Sequence, residues 1–328
     1  MTTRLPISVL VPTKNSAATV EACIESILTV LPNDGSEVVV VDGSSTDGTP
    51  VRMRVLPVRL ETIAPCFVAH SRNVAVRSAR HSIVAFIDSD CTVDTGWYEA
   101  IQTTLSDDAI GIVGSRYAIR PRPTWVERAW DRAHRRAPEP VLADVAYVPG
   151  GNLAMRREVF DLIGGFDERI ETGEDMDLCT RVRQSGYRVV DHSGMTCVHL
   201  GEPKTLAAVY RRNRWHGRGT RLRYADGRLA PILLSTIAFA GSVALAMGSA
   251  AVTASRGVSA ITALIGLPLA VPVVYAARYA RRPRTAHAIQ LVAIYLAYFS
   301  GRARALPAVL GRVSRERAAG KQCEQCTR

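Results

Sequence analysis

Two short acidic segments, each closing an apolar run, constrain this chain more than any other feature. Residues 38–41 are four valines that lead into Asp42-Gly43-Ser44-Ser45-Thr46-Asp47-Gly48-Thr49, and residues 83–87 lead into Asp88-Ser89-Asp90. Runs of this kind predict strands, and in an open parallel sheet ligands bind in the crevice at the strands' carboxyl ends. Both sets of acids therefore face one shared crevice. Asp88 and Asp90 flank Ser89, and a strand ending there aims the carboxylates at a divalent ion carrying a diphosphate. That combination suits nucleotide-sugar chemistry.

A chain of 328 residues has room for about two domains. Its formal charge of +11 is compatible with nucleic acid, an anionic membrane face or an acidic substrate, and the distribution of charge decides among them. Lys14, Lys204 and Lys321 are the only lysines, so the excess is arginine. Arg211, Arg212, Arg214, Arg218, Arg221, Arg223 and Arg228 precede a long apolar stretch, the placement expected at a membrane's cytoplasmic side. No basic strand studded with aromatics and no zinc-finger spacing accompanies them, which argues against nucleic acid. The seven cysteines are scattered, as in a reducing compartment, and only Cys323-Glu324-Gln325-Cys326 has the spacing of half a metal site or a redox pair. Residues 1–6 lead straight into a strand, without a signal peptide.

From residue 7 to about 200, short apolar runs alternate with amphipathic stretches, which predicts a βα layered, mostly parallel sheet. Strands are expected at 7–11, 37–41, 55–60 and 83–87. One helix follows Ser16 or Thr19 as cap and carries Val20, Cys23, Ile24, Ile27 and Leu28 on one face, and another covers 69–79. Beyond residue 225 the composition changes. Residues 229–253 and 258–277 contain no charged residue, and each stretch is about long enough to cross a bilayer as a helix. With arginines before the first and Arg278, Arg281, Arg282 and Arg284 after the second, they predict a transmembrane hairpin turning at Ser255-Arg256-Gly257, with the amino-terminal domain in the cytoplasm. The apolar piece at about 287–300 is shorter and precedes a basic tail. It reads as an interfacial or re-entrant helix rather than a third span. The domains expected are thus 1–225 and 226–328.

Several side chains carry candidate chemistry. Pro12 ends the first strand's ladder, so the backbone beyond it and the Thr13 hydroxyl, with Asn15 close behind, edge a base or ribose. Asp42 is placed to accept from a base imide or a ribose hydroxyl, while Asp47 serves as a turn cap. Gly150 and Gly151, before Asn152, let a backbone or a sugar approach closely. Glu174-Asp175-Met176-Asp177 opens a helix, with Asp177 one turn from Arg181.

Residues 8–15, the block 40–49, Ala69-His70-Ser71-Arg72-Asn73 and Phe86-Ile87-Asp88-Ser89-Asp90 occur in the order that resembles family 2 glycosyltransferases. The resemblance implies an α/β fold of the GT-A type, an inverting mechanism, a nucleotide-diphosphate sugar donor and a divalent metal, Mn²⁺ or Mg²⁺. It places Pro12, Thr13, Asn15, Asp42, Ser44, Arg72, Asp88 and Ser89 on the donor side and Asp90 at the metal. His199 resembles the histidine that closes the site near the metal, a role in which imidazole favours Mn²⁺; the alternative is a histidine packed beneath a loop. The acidic cluster implies a catalytic base, Asp175 or else Glu174. Gly150, Gly151 and Asn152 fall on the acceptor side. Arg211-Arg212-Asn213-Arg214-Trp215 partly resembles the glutamine and arginine-tryptophan motif of processive synthases, with Arg211 in the glutamine's place. Arg214 and Trp215 then meet diphosphate and acceptor sugar, or lie in an interfacial amphipathic helix.

The resulting expectation is a membrane-attached inverting transferase that moves a sugar from a nucleotide-diphosphate donor to a lipid-linked or envelope glycan acceptor at the cytoplasmic face. A processive polysaccharide synthase and a noncatalytic nucleotide-binding scaffold are the alternatives.

Overall fold

The valine-rich and isoleucine-rich runs form the centre of a sheet covered on both faces, which is why they read as unbroken apolar stretches. A computed structural model describes residues 4–134, 141–219, 231–253, 258–279 and 285–326, with helical side chains at 134, 248–267, 279, 285, 310 and 312–326 outside the description. The chain divides into two units, 1–121 with 136–202, and 122–135 with 203–328.

In the first unit, β1 (Ile7–Thr13), α1 (Val20–Val30), β2 (Glu37–Asp42), α2 (Thr49–Met53), β3 (Arg59–Thr62), α3 (Val68–Ser78) and β4 (Ile83–Ile87) follow in order. Then come β5 (Cys91–Val93), α4 (Trp97–Thr104) and β6 (Ile110–Gly114). α5 (Trp125–His134) belongs to the second unit, and the first resumes with β7 (Leu142–Asp144), β8 (Asn152–Arg156), α6 (Arg157–Leu162), α7 (Glu174–Gln184), β9 (Arg188–His192) and β10 (Cys197–His199). Eight strands pair in the order β3-β2-β1-β4-β8-β6-β9-β7. β1 to β4 are mutually parallel, β8 runs against both β4 and β6, β9 runs with β6, and β7 runs against β9. The mostly parallel sheet is therefore as expected, with two reversed strands that periodicity does not mark. The registers Thr13↔Asp42 and Ile87↔Asn152 align the ends of β1, β2 and β4 beside the start of β8. β5 and β10 form a separate two-stranded ladder with Cys91 opposite His199.

Details depart from the sequence reading. The third strand begins at Arg59, because residues 54–58 turn around Pro57. Thr19 stands at the N-cap of α1 without a side-chain cap bond, and the Ser16 hydroxyl meets Ser89 instead. Asn152, expected on the acceptor side, is fully buried. Its Oδ1 accepts from Trp97 Nε1 at 2.9 Å, and its Nδ2 donates to the carbonyls of Ser115 and Met195. This amide ties β8 to the flanking loops and has no atom left for a sugar.

The second unit starts at Pro203, before residue 226, and takes in α5. With α5 it contains α8 (Leu206–Arg218), α9 (Pro231–Thr253), α10 (Val258–Tyr279) and α11 (Thr285–Cys326). Its core includes Phe239, Ala276, Leu291, Tyr295 and Phe299, and a second cluster joins Val126, Ala129, Val209 and Ile294. The apolar piece at 287–300 is thus part of a 42-residue helix whose buried face packs on its neighbours. Among the described residues no helix is long and apolar enough to cross a membrane. The expected hairpin turn at 255–257 lies outside the described residues, as do the side chains at 248–253 and 258–267 of the expected spans and those of Cys323 and Cys326.

Replacing Asn152 with alanine orphans the buried Trp97 indole N–H and two carbonyls. Each buried polar group left without a partner costs about 1–3 kcal/mol, so Asn152→Ala should lower unfolding free energy by at least about 2 kcal/mol in urea titration.

Candidate functional site

The side chains at the carboxyl ends of β1, β2 and β4 meet as the register requires. Asp42 closes β2, fully buried, and its two carboxylate oxygens accept from the backbone N–H and the hydroxyl of Ser45 at 2.9 and 2.5 Å. Asn15, at φ +53°, donates its backbone N–H to the Ser45 hydroxyl and accepts from the Thr46 N–H. Asn15 therefore knots the β1 exit to the loop after β2. Ser44, also at positive φ, turns its hydroxyl onto the Ile63 carbonyl at 2.7 Å, away from a donor-binding role. Asp47 accepts from Ala17 and Thr49, as a turn cap. Pro12 and Thr13 complete β1, and the Thr13 hydroxyl is a buried polar atom with no partner in the protein. Such atoms are normally satisfied, which marks Thr13 as facing a missing group.

Arg72 is the hub of the crevice. It lies on α3, 2% exposed, where one nitrogen donates to Glu174 Oε1 at 2.6 Å and another to Asp88 Oδ1 at 2.8 Å. Its guanidinium sits over the Phe166 ring. Burial alone would lower its pKa, but the charges of Asp88, Glu174 and Asp175 outweigh burial and raise it. The two glycines before β8 exist because of this clamp. A Cβ at Gly150 would press on the guanidinium, and one at Gly151 would overlap the Asp88 carboxylate and touch the Tyr117 hydroxyl.

The acids at the start of α7 occupy different environments. Glu174 is buried against Arg72. Asp175 is half-buried, and its oxygens accept from the N–H groups of Gly150 and Met176. Burial, followed by the Glu174 charge, pushes Asp175 up to about 6, with Arg72 pulling the other way. Asp177 pairs with Arg181 at 2.9 Å.

The β5/β10 ladder brings His199 to the second aspartate. His199 Nε2 lies 3.2 Å from Asp90 Oδ1, and Nδ1 lies 3.5 Å from Glu202. Asp90, Cys91 and His199 offer donor atoms within 4.8 Å of one another, a spacing that one cation spans. The Cys91 thiol is held protonated, first by its hydrogen bond to Cys197 and then by burial. The Asp90 carboxylate oxygen and the His199 imidazole nitrogen in this group are donors that suit Mn²⁺. A Cβ at Gly201 would overlap the Asp90 carboxylate, so this loop also stays bare for the acid's sake. Ser89 is buried and bonded to Ser16 at 2.8 Å, which couples the aspartate segment to the β1 exit.

Sequence reading missed Ser45 and Tyr117, and it placed Asn73 with local backbone, where the structure has it. Ser45 orients Asp42, Asn73 holds the turn at Gly165-Phe166 through both ends of its amide, and Tyr117 packs its ring on His199, centroids 4.7 Å apart. Ser45 and Asn73 lie inside the quoted motif segments 40–49 and 69–73, whereas Tyr117 lies outside any of them. Arg214 and Trp215 lie on α8 of the second unit, both exposed, with the Trp215 ring against His216.

Comparisons with known proteins agree with this geometry. Residues 8–164 match the family model for glycosyl transferase family 2. A pre-mycofactocin glycosyltransferase of Mycobacterium tuberculosis is 25% identical over 254 residues, 74% of this chain and 53% of the relative. The chain thus spans about half the length of that relative. Glycosyltransferase AglE of Haloferax volcanii is 24% identical, over 62% of this chain and 70% of its own. Among solved structures, a mannosyltransferase of Pyrobaculum calidifontis in complex with GDP-Man and Mn²⁺ superposes with a TM-score of 0.57 at 26% identity, covering 90% of this chain and 88% of that one. The paired aspartates, the Arg72 clamp and the match over residues 8–164 make this part of the chain similar to glycosyl transferase family 2, on an α/β architecture of the GT-A type.

Proposed function

We propose that the chain transfers a sugar from a nucleotide-diphosphate donor to an acceptor hydroxyl by a single inverting displacement. The observation that carries this reading is that two acidic groups stand in different settings: Asp90 against His199 of β10, and Asp175 at the start of α7 bonded to the Gly150 N–H. Thr13 and Asp42 face the base and ribose, and the β1 exit through Asn15 and Ser45 holds them in place. Asp90 and His199 would hold a divalent cation, which when bound neutralises charge growing on the departing diphosphate. The structural neighbour solved with GDP-Man and Mn²⁺ supports both the donor class and Mn²⁺ as the ion.

Asp175 is the proposed base. As the acceptor oxygen attacks the anomeric carbon from the face opposite the diphosphate, the carbon–oxygen bond to the leaving group breaks and the hydroxyl proton passes to Asp175. A carboxylate near pKa 6 is deprotonated at neutral pH yet basic enough to take that proton. Glu174 is occupied by Arg72 and serves to hold the clamp. Gly150 fixes Asp175 through its backbone N–H, which orients the carboxylate for the acceptor.

The acceptor is proposed to be lipid-linked or envelope glycan, reached from the cytoplasmic face of a membrane. Support comes from the charge-free stretches 229–253 and 258–277 with arginines on their flanks, and from the exposed Arg214 and Trp215 of α8. Attachment would raise the local concentration of a membrane-bound acceptor.

Three outcomes follow. Asp175→Asn should lower kcat about 10²- to 10⁴-fold while leaving the thermal shift given by UDP- or GDP-sugars with Mn²⁺ intact; full activity in this variant removes the assignment, and donor binding by an inert wild type favours a scaffold. The deprotonated carboxylate is the active form, so kcat/KM should fall as pH drops through about 6 and be flat above it. Glu174→Gln should move that limb to lower pH, because it removes the charge that raises Asp175. Finally, the full chain should stay in the membrane pellet through alkaline carbonate washing; release to the supernatant overturns attachment through spans.

A further inference from the structure

Tyr117 belongs to no recognised motif, yet it meets both His199 and the turn at Gly151 beside Asp88. It follows β6 on a segment fixed at three points. The Ser115 N–H donates to the Asn152 carbonyl, the Ser115 hydroxyl to Asp191, and the Ala118 N–H to the Cys197 carbonyl at 2.7 Å. The backbone there is thus tied to β8, β9 and β10, and the side chain has little freedom to swing. One face of its ring lies on the His199 imidazole, centroids 4.7 Å apart and planes 34° apart. At its far end the hydroxyl closes on the bare side of Gly151, where a Cβ would touch it at 2.6 Å and meet the Asp88 carboxylate at the same point. Among the described residues this hydroxyl makes no hydrogen bond.

Two observations thus converge on one side chain: a flat surface against the proposed metal-side histidine, and an unspent O–H aimed into the donor crevice beside Asp88. The Tyr117 side chain is partly buried, and its hydroxyl hydrogen is left for a ligand acceptor. The ligand acceptors that the proposed function offers beside Asp88 are diphosphate oxygens. We infer that Tyr117 is a two-ended positioning and donor-binding residue: its ring fixes the orientation of His199 toward the cation, and its hydroxyl donates a hydrogen bond to the nucleotide diphosphate. The inference rests on the proposed metal and donor reading of the crevice. It adds a neutral donor to the leaving group, where the protein otherwise offers an arginine already engaged by two carboxylates.

Separating the ends of the side chain tests this. Tyr117→Phe keeps the ring and removes the donor, whereas Tyr117→Leu removes both. Mn²⁺ affinity is read by electron paramagnetic resonance of the free ion with the full chain and no nucleotide, and UDP or GDP affinity by calorimetry at saturating Mn²⁺. Tyr117→Phe should bind Mn²⁺ like wild type but weaken nucleoside diphosphate about ten- to hundredfold, the loss expected for a hydrogen bond to a charged acceptor. Tyr117→Leu should in addition weaken Mn²⁺ itself. Unchanged diphosphate affinity in Tyr117→Phe overturns the donor role, and unchanged Mn²⁺ affinity in a folded Tyr117→Leu overturns the positioning role. Should Tyr117→Leu not fold, Tyr117→Phe decides the donor role and Tyr117→Trp, which keeps an aromatic face, takes the Mn²⁺ test, with unaltered affinity expected and a loss overturning simple stacking. Wild-type Mn²⁺ binding no tighter than that of Asp90→Ala overturns the underlying metal reading, and the inference with it, a result distinct from any Tyr117 variant behaving as wild type.

Discussion

One buried guanidinium organises the crevice. Arg72 reaches from α3 to the aspartate at the end of β4 and the glutamate at the start of α7, two elements 86 residues apart in sequence (88 to 174). A buried charge of this kind is tolerable only when its partners are in place, and losing one partner leaves a charge stranded in low dielectric. The clamp therefore makes the approach of α7 to β4 a condition of folding rather than a fluctuation. It also explains the chemistry around it. The Gly150-Gly151 turn must pass the guanidinium and the Asp88 carboxylate without side chains, and the backbone N–H so exposed is the one that fixes Asp175. Asp175 in turn owes its raised pKa to burial and to the neighbour that Arg72 holds there.

The sequence carried the strands well because they are buried on both faces and so consist of nothing but apolar residues. The carboxyl-end acids were legible for the same reason, since a charged residue can follow such a run only where the strand leaves the core. Less legible were contacts made by register and packing across the sheet. His199 reaches Asp90 because β10 pairs with β5, and no periodicity in a three-residue strand announces that pairing. Reversed β8 between β4 and β6 likewise depends on partners far away in sequence. Asn152 misled because polar residues beside glycines suggest a ligand loop, whereas its amide is consumed in joining Trp97, Ser115 and Met195. Ser44 misled in the same way, its hydroxyl spent on a carbonyl.

The two ends of the crevice are physically linked, although their roles differ. Asn15 and Ser45 tie the β1 exit to Asp42, while Ser16 meets Ser89 between the paired aspartates. A shift in the loop that faces the base is therefore felt at the loop that faces the diphosphate. Short hydroxyl bridges of this kind hold loops in register without adding charge to a site that is already acidic.

Sulphur is distributed in this fold in a way that gives it a diagnostic use. Cys23, Cys91, Cys179 and Cys197 are fully buried, and burial pushes the Cys179 thiol up to about 12, with Cys23 raised for the same first reason. Thiols that are both hidden and protonated do not react with alkylating reagents while the native packing holds. Their labelling rate thus clocks how often the catalytic layers part, and half-exposed Cys66 provides the internal reference that reacts without any opening.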